Sequence, residues 1–421
     1  MSGFGGREPD RLEQERLDAI AAQDQAALMT APRAEPSTPR EWLRENLFSS
    51  WLNGVVTVIT AVLVTYLLYQ LVRWVFVGAD WAVIKANLAS YMLARFPREE
   101  VWRVWTGLYL VLALAGLSWG YSERRIAWTP VRMGAAAVLA VLGTLVLLYL
   151  LESAGIWLLI AGAVAALFVP MAIGRALGRR VRRVVIGGWL AIYPLLLLVL
   201  LGFGGPSTRQ WGGVFLNVMV GSVVIVASFP IGILLALGRR SSFPAIRTFC
   251  VGVIELIRGV PLITLLISGV FLLPLLLPPQ VDLPTLMRVM IMFTLFSSVY
   301  VAEIVRGGLQ GVHQGQYEAG RALGLSTMRL TALVILPQAL RNTIPALISH
   351  FISVWKDTAL LSIVAGFTDL LRSSRRSAAG LEFIGHNKEA LIGAALVFWA
   401  VAFTASRWSQ RLERRVGVGE R

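Results

Sequence analysis

The chain has 421 residues, 56% of them hydrophobic and 15% charged, with a mean hydropathy of +0.68. That is too apolar for a water-soluble domain of ordinary composition. The net charge of +15 does not indicate nucleic-acid binding, because the arginines cluster in short segments between apolar runs and no basic run is interleaved with stacking aromatics. One cysteine, Cys250, excludes a disulfide framework and a cysteine metal cluster; inside an apolar stretch it reads as an inert core residue.

Residues 1–50 are polar, with Pro32, Pro36 and Pro39, and read as a cytoplasmic tail in which Arg11 to Met29 has the pattern of a surface helix. Their polarity leaves no cleavable signal peptide, so the first apolar helix is its own insertion signal. Runs near the roughly 20 residues that cross a bilayer follow at 53–77, 105–120, 133–152, 155–173 and 185–205. A second group lies at 213–237, 250–277, 284–305, 340–365 and 389–408. The run at 250–277 is interrupted by Glu255, Arg258, Gly259 and Pro261, where a helix can bend if its freed backbone groups find partners. The segment 78–104 mixes Trp81, Tyr91 and Phe96 with charges, the pattern of amphipathic helix lying on the outer surface.

Ten spans put both termini on one side. The denser arginines choose the cytoplasm: Arg124, Arg125, Arg132, the Arg175–Arg183 group, Arg239, Arg240, Arg247, Arg306, Arg321, Arg329, Arg341 and the C-terminal tail. The expected organisation is a tail (1–50), a five-helix membrane extension (51–208), a five-helix core (209–410) containing a cytoplasmic loop (306–340), and a basic tail (411–421). The fold class is all-α polytopic membrane protein. Charge within the spans concentrates in the second half, and charge at membrane depth marks function or helix locking.

Between two spans, on the expected cytoplasmic side, runs Gln316-Tyr317-Glu318-Ala319-Gly320-Arg321-Ala322-Leu323-Gly324-Leu325, closing at Val334-Ile335-Leu336-Pro337. This resembles the E-A-A, three residues, G, nine residues, I-x-L-P loop of binding-protein-dependent ABC permeases, with Gly320 for the third Ala and Val334 for Ile. Glu255 to Leu262 resembles E-x-x-R-G-x-P-L of the polar amino acid branch. Ala302 to Gly308 resembles its A-E-x-x-R-G-G, Pro337 to Arg341 its P-Q-A-L-R, and Lys356 to Leu360 its K-D-T-S-L with Ala359 for Ser. The long N-terminal half, with Leu237 to Ser241, is further similar to one subunit of general L-amino acid importers. His313 departs from the usual Pro, and Ser349 from a common Asn.

The resemblance implies a type I importer core and a coupling surface at Tyr317, Glu318, Ala319, Gly320, Ala322, Leu323 and Gly324. It implies a separate cytoplasmic ATPase that holds ATP and Mg, a second related permease in a heterodimer, a periplasmic amino-acid-binding protein, and a bacterial inner-membrane location. The chain itself carries no G-x-x-x-x-G-K-[ST] sequence, metal cluster or paired nucleophile, so no cofactor and no catalysis are expected in it. Lipid is a partner throughout.

Candidate substrate-path residues are Lys356, Asp357, Thr358, Ser349 and Glu255, where both charge signs would suit an amino acid. The plainer alternative is that Lys356 and Asp357 lock helices together. Arg258, Glu303 and Arg306 read as structural or gating ion-pair residues, Glu303 and Arg306 being three apart on one helix face. His350 reads as a packed histidine. Two other classes stay open at this point: an ion-coupled secondary transporter using Asp357, Glu255 or Glu303, and a membrane-embedded regulatory protein. A different polar solute is also open.

Overall fold

The computed structural model describes residues 38–122, 154–364 and 366–416. The expected surface helix Arg11–Met29, the expected span 133–152 with Arg124, Arg125 and Arg132, and residues 417–421 lie outside the described residues. The chain forms two compact units, Met1–Ala79 and Asp80–Arg421.

In the first unit, α1 (Pro39–Asn46) starts in a capping box. The Thr38 hydroxyl accepts the Glu41 N–H (3.3 Å) and the Glu41 carboxylate accepts the Thr38 N–H (3.0 Å). Helix α2 (Trp51–Arg73) is capped by Ser50 and continues as a π turn, Trp74–Gly78. It is apolar on every side, the mark of a span rather than of a helix half in water.

The second unit opens with α3 (Ala82–Leu93), which packs on helices of the C-terminal half and buries Val83, Leu88 and Tyr91. The amphipathic surface helix expected over 78–104 is therefore corrected: Tyr91 and Phe96 are 2% exposed and belong to the core. Helices α4 (Val101–Ser122), α5 (Ala154–Leu177) and α6 (Arg182–Leu201) follow. Along α4, Tyr109 donates to Leu159 O (2.7 Å), and Gly116 and Gly120 press against the backbone of Leu167 and Met171, so α5 runs parallel to α4. A side chain at either glycine would overlap a carbonyl oxygen, and glycines four apart permit this close helix contact. Trp189 on α6 donates to Ser118 (2.9 Å), and Arg103 donates to Val199 O and Gly202 O (2.8 Å each), so α6 runs back antiparallel. The reversal falls at the tight turn Gly178–Val181.

The core comprises α7 (Gly213–Arg239), α8 (Pro244–Arg258), α9 (Leu262–Phe271), α10 (Thr285–Gln310), α11 (Gln314–Ala322), α12 (Leu336–Asp357), α13 (Leu370–Ala378) and α14 (Asn387–Val416). Helix α10 is central, packed on α7, α9 and α12. Its face carrying Val289, Phe293, Val301, Ala302 and Val305 is wholly buried. A two-residue strand, Thr368–Asp369, bridges in parallel to Gly212 and Gly213 at the start of α7.

Among the described residues, seven helical stretches are long and apolar enough to cross a membrane. They become nine when the pair α8–α9, bent by 102°, is counted as one pass and the 43-residue stretch Leu159–Leu201 as two. At 1.5 Å per residue that stretch would run about 65 Å, twice the hydrocarbon thickness, were it straight. Each of the nine answers an expected span. The bend falls at Gly259–Pro261, and the freed amides stay satisfied: Gly259 N–H reaches Glu255 O (3.1 Å) and Val260 N–H reaches Ile257 O (3.2 Å).

Candidate functional site: an interhelical knob and an ion-pair hub

Helix α10 ends at Gly311, and the His313 ring nitrogen Nδ1 accepts the Gly315 N–H (3.1 Å) to start α11. At φ −59° this position has the backbone angle that proline fixes. The imidazole replaces that rigidity with a side-chain cap. Nine residues later α11 closes in a Schellman turn: Leu325 N–H bonds to Gly320 O (3.1 Å) and Gly324 N–H to Arg321 O (2.9 Å). Gly324 sits at φ +71°, a conformation that a Cβ disfavours. Ser326 then accepts the Arg329 N–H (3.4 Å) and starts a short helix, Thr327–Leu330, which leads through a π turn into α12.

The result is a compact knob of two short helices. Its inner side is anchored. Tyr317 donates to Leu309 O and accepts from Arg240 (3.3 Å each), the guanidinium lying 5.9 Å from the ring centre. Gln338 on α12 donates to Gln316 (3.2 Å). The buried Gly320 faces Leu330, and an alanine Cβ there would overlap a Leu330 methyl. The departure at the third Ala thus has a local cause. The outer side presents Glu318, Ala319, Arg321, Ala322, Leu323 and Gly324, with Leu323 80% and the neighbouring Met328 83% exposed.

Beside the knob, Glu303 on α10 is the hub of an ion-pair cluster. Arg239 Nη1 lies 2.7 Å from it, Arg306 3.0 Å and Arg258 3.6 Å, and Arg239 also reaches Glu255 at 3.3 Å. The cluster joins α7, α8 and α10. The local pairing of Glu303 and Arg306 was legible as a three-residue spacing. Arg239 was missed as a partner, because it comes from a helix 64 residues away and no local pattern encodes it. Glu255, expected along a substrate path, is exposed and pairs with Arg239 in this cluster.

The remaining expected path residues do not share one environment. Lys356 and Ser349 are exposed, two turns apart on one face of α12, and Asp357 is half-buried. Thr358 has no exposed surface: its hydroxyl donates to Trp355 O (2.7 Å) and accepts from Asn217 (3.0 Å). Asn217 in turn accepts the Leu370 N–H (3.0 Å) and approaches Asp369 (3.5 Å). These bonds tie Thr358 to α7 and, through Asn217, to the 368–370 segment. Burial pushes the Asp369 carboxyl up to about 6, against the opposing bonds from Arg372, Asn217 and Leu371. His350 is packed: it lies 2.9 Å from Ser297 and stacks on Tyr300, while Ser297 donates to Ser228 (2.9 Å). Among the described residues no group of three or more His, Cys, Asp or Glu could hold a metal.

The described residues form a polytopic helical bundle with an exposed, tightly capped knob between two candidate spans. The family model described as "Binding-protein-dependent transport system inner membrane component" matches residues 228–418. The inner membrane amino-acid ABC transporter permease protein YhdY of Escherichia coli (strain K12) is 33% identical over 400 residues, covering 90% of this chain and 93% of the relative. The glutamate/glutamine/aspartate/asparagine transport system permease protein BztC of Rhodobacter capsulatus is 33% identical over 426 residues, covering 92% and 96%. The chain therefore belongs to the binding-protein-dependent ABC permease family of inner-membrane components. A solved structure described as an amino acid ABC transporter with histidines is 30% identical, with a TM-score of 0.42, over 47% of this chain and 90% of that one.

Proposed function

We propose that this chain is the permease subunit of an importer that carries L-amino acids into the cell by alternating access, driven by a separate ATPase that holds ATP and Mg. In this reading both termini face the cytoplasm, and a periplasmic binding protein delivers the amino acid at the opposite face. A second related permease completes a heterodimer. The core at 209–410 is the moving part, and the segment 51–208 is an extension of it.

The observation that carries this reading is the knob at Glu318–Gly324. Its outer surface offers an apolar tip, Leu323 and Met328, flanked by Glu318 and Arg321. Its inner surface is bonded to α7 through Arg240 and to α12 through Gln338. A partner that pushes the knob moves both helices. The Ser349–Lys356 face of α12 supports the second permease, since exposed polar groups on a span need water or protein cover. The names of the relatives support an amino acid cargo.

The test is Glu318→Arg, which changes an exposed residue without disturbing the anchors. Co-purification of the ATPase with tagged chain should fall at least tenfold, with ATP-driven uptake in vesicles lost and protein level unchanged. Uptake that persists in this variant and collapses with a protonophore would replace the proposal with ion-coupled transport.

A further inference from the structure

At the end of the fold opposite the knob, three arginines meet. Arg95 follows α3; Arg372 and Arg376 lie one turn apart on α13. Helix α12, 22 residues and about 33 Å long, separates this end from the knob. Partial burial and the positive charges of Arg95 and Arg372 hold the Arg376 guanidinium below its ordinary value.

The fold forces this meeting. Ala94 takes φ +49°, a left-handed conformation costing about 1–3 kcal/mol for a residue with a side chain. It does so where the chain crosses Gly212, whose missing Cβ leaves room for the Ala94 methyl and for Thr368 O. Thr368 is bridged to that same Gly212 and accepts a hydrogen bond from Arg376 (2.8 Å). Arg95 is thereby carried to the α13 arginines. Among the described residues no carboxylate lies within ion-pair distance of any of the three. Asp369, the nearest acid in sequence, is fully buried and turned inward onto Asn217 and the Arg372 N–H.

Arg372 feels the buried Asp369 charge through space, yet the three like charges still repel one another, and the repulsion is relieved when further anionic groups arrive. The cluster is open rather than set in a pocket. Arg95 and Arg376 are exposed and Arg372 is half-buried. It also lies outside the candidate spans Thr327–Val364 and Asn387–Arg411 along the chain. A solute carboxylate would be gripped by one or two guanidinium groups in a cleft. A spread of three on an open face matches an acidic protein surface instead.

We propose that Arg95, Arg372 and Arg376 form the contact that receives acidic side chains of the solute-loaded binding protein. This rests on the import reading above and names the docking residues for it. The cluster steers the partner and holds it in register, and takes no part in solute selection.

The test uses the complete transporter, this chain with its ATPase and paired permease, in phosphatidylcholine nanodiscs. ATPase rate is measured against the concentration of its loaded binding protein. In Arg95→Gln/Arg372→Gln, which spares the Arg376–Thr368 bond, the half-maximal concentration should rise about tenfold, with basal and maximal rates unchanged. Arg95→Lys/Arg372→Lys should recover most of the loss, and Arg98→Gln on the same loop should change little. In the wild type the half-maximal concentration should climb as NaCl goes from roughly 50 to 300 mM. This last measurement stands even if the glutamine pair fails to assemble. Equal half-maximal concentrations in variant and wild type, or a wild type insensitive to salt, overturn the docking role while leaving import intact. An effect seen only with phosphatidylglycerol present assigns the cluster to lipid, and a changed solute affinity at saturating binding protein assigns it to the solute; either overturns the proposal. A wild type that no loaded binding protein stimulates removes the import reading, and this inference with it.

Discussion

Neutralising Glu303 should destabilise the fold far more than neutralising Glu255, although both are glutamates in the same cluster. Glu303 is 16% exposed and meets three arginines, the nearest, Arg239, at 2.7 Å. Glu255 is 56% exposed and meets one, at 3.3 Å. Two unit charges 4 Å apart attract by about 4 kcal/mol at an effective dielectric of 20, and desolvation cancels much of that. Arg258 and Arg306 are 40% and 33% exposed, so their pairs contribute less than about 1 kcal/mol each. Removing the Glu303 charge also leaves Arg258 and Arg306 without their shared carboxylate, while Arg239 keeps only Glu255. The net loss for Glu303→Gln is on the order of 2 kcal/mol, a fall of about 4 °C in melting temperature. For Glu255→Gln it is below about 0.5 kcal/mol. Thermal unfolding in detergent, followed by fluorescence-detected size exclusion, separates the two. Arg239→Gln should resemble Glu303→Gln. If Glu255→Gln costs as much as Glu303→Gln, or Arg239→Gln costs nothing, the hub assignment is wrong.

Gly320→Ala pits about 1 kcal/mol of helix propensity against an overlap with Leu330 that costs about 1–3 kcal/mol. A net loss in melting temperature is expected, and Gly320→Ala/Leu330→Val should regain it; a double variant no better than the single would exclude steric conflict as the reason for glycine. Asp369 titrates near 6 in the fold and near 3.8 unfolded, so charging it costs more in the fold. Its contribution to stability is greatest below pH 4, declines as pH rises through 4 to 6, and is level above that, a span on the order of 3 kcal/mol. Asp369→Asn should flatten the dependence of melting temperature on pH across this window; an unchanged profile would assign it to other groups.

The parts of this molecule legible in its sequence are those set by local composition. Apolar run length located the spans, Gly259 and Pro261 marked the bend, and the distance from Glu318 to Gly324 to Pro337 marked the knob. Contacts between distant segments left no such trace. Tyr91 and Phe96 stand among charges and read as interfacial, yet tertiary packing buries both. Arg239 looks like one more arginine at a helix end, and only the fold brings it to Glu303. Thr358 sits between Asp357 and Ala359 in a motif suggestive of a polar path, but Asn217 claims its hydroxyl from 141 residues away. The glycines at 116 and 120 were readable as a close-packing pair, four apart in an apolar run, and were passed over.

The bonds around Asn217 carry a consequence for how the protein is made. Its side chain has no exposed surface, and its partners Thr358, Asp369 and Leu370 lie 141 to 153 residues further along the chain. During synthesis α7 is made before any of these partners, so its amide waits until the later helices follow. A buried polar group still lacking its final partners needs a temporary companion, such as water, an insertion factor or a neighbouring helix. Biogenesis therefore has a late closing step, and substitutions at the far end of the chain can leave an early helix stranded.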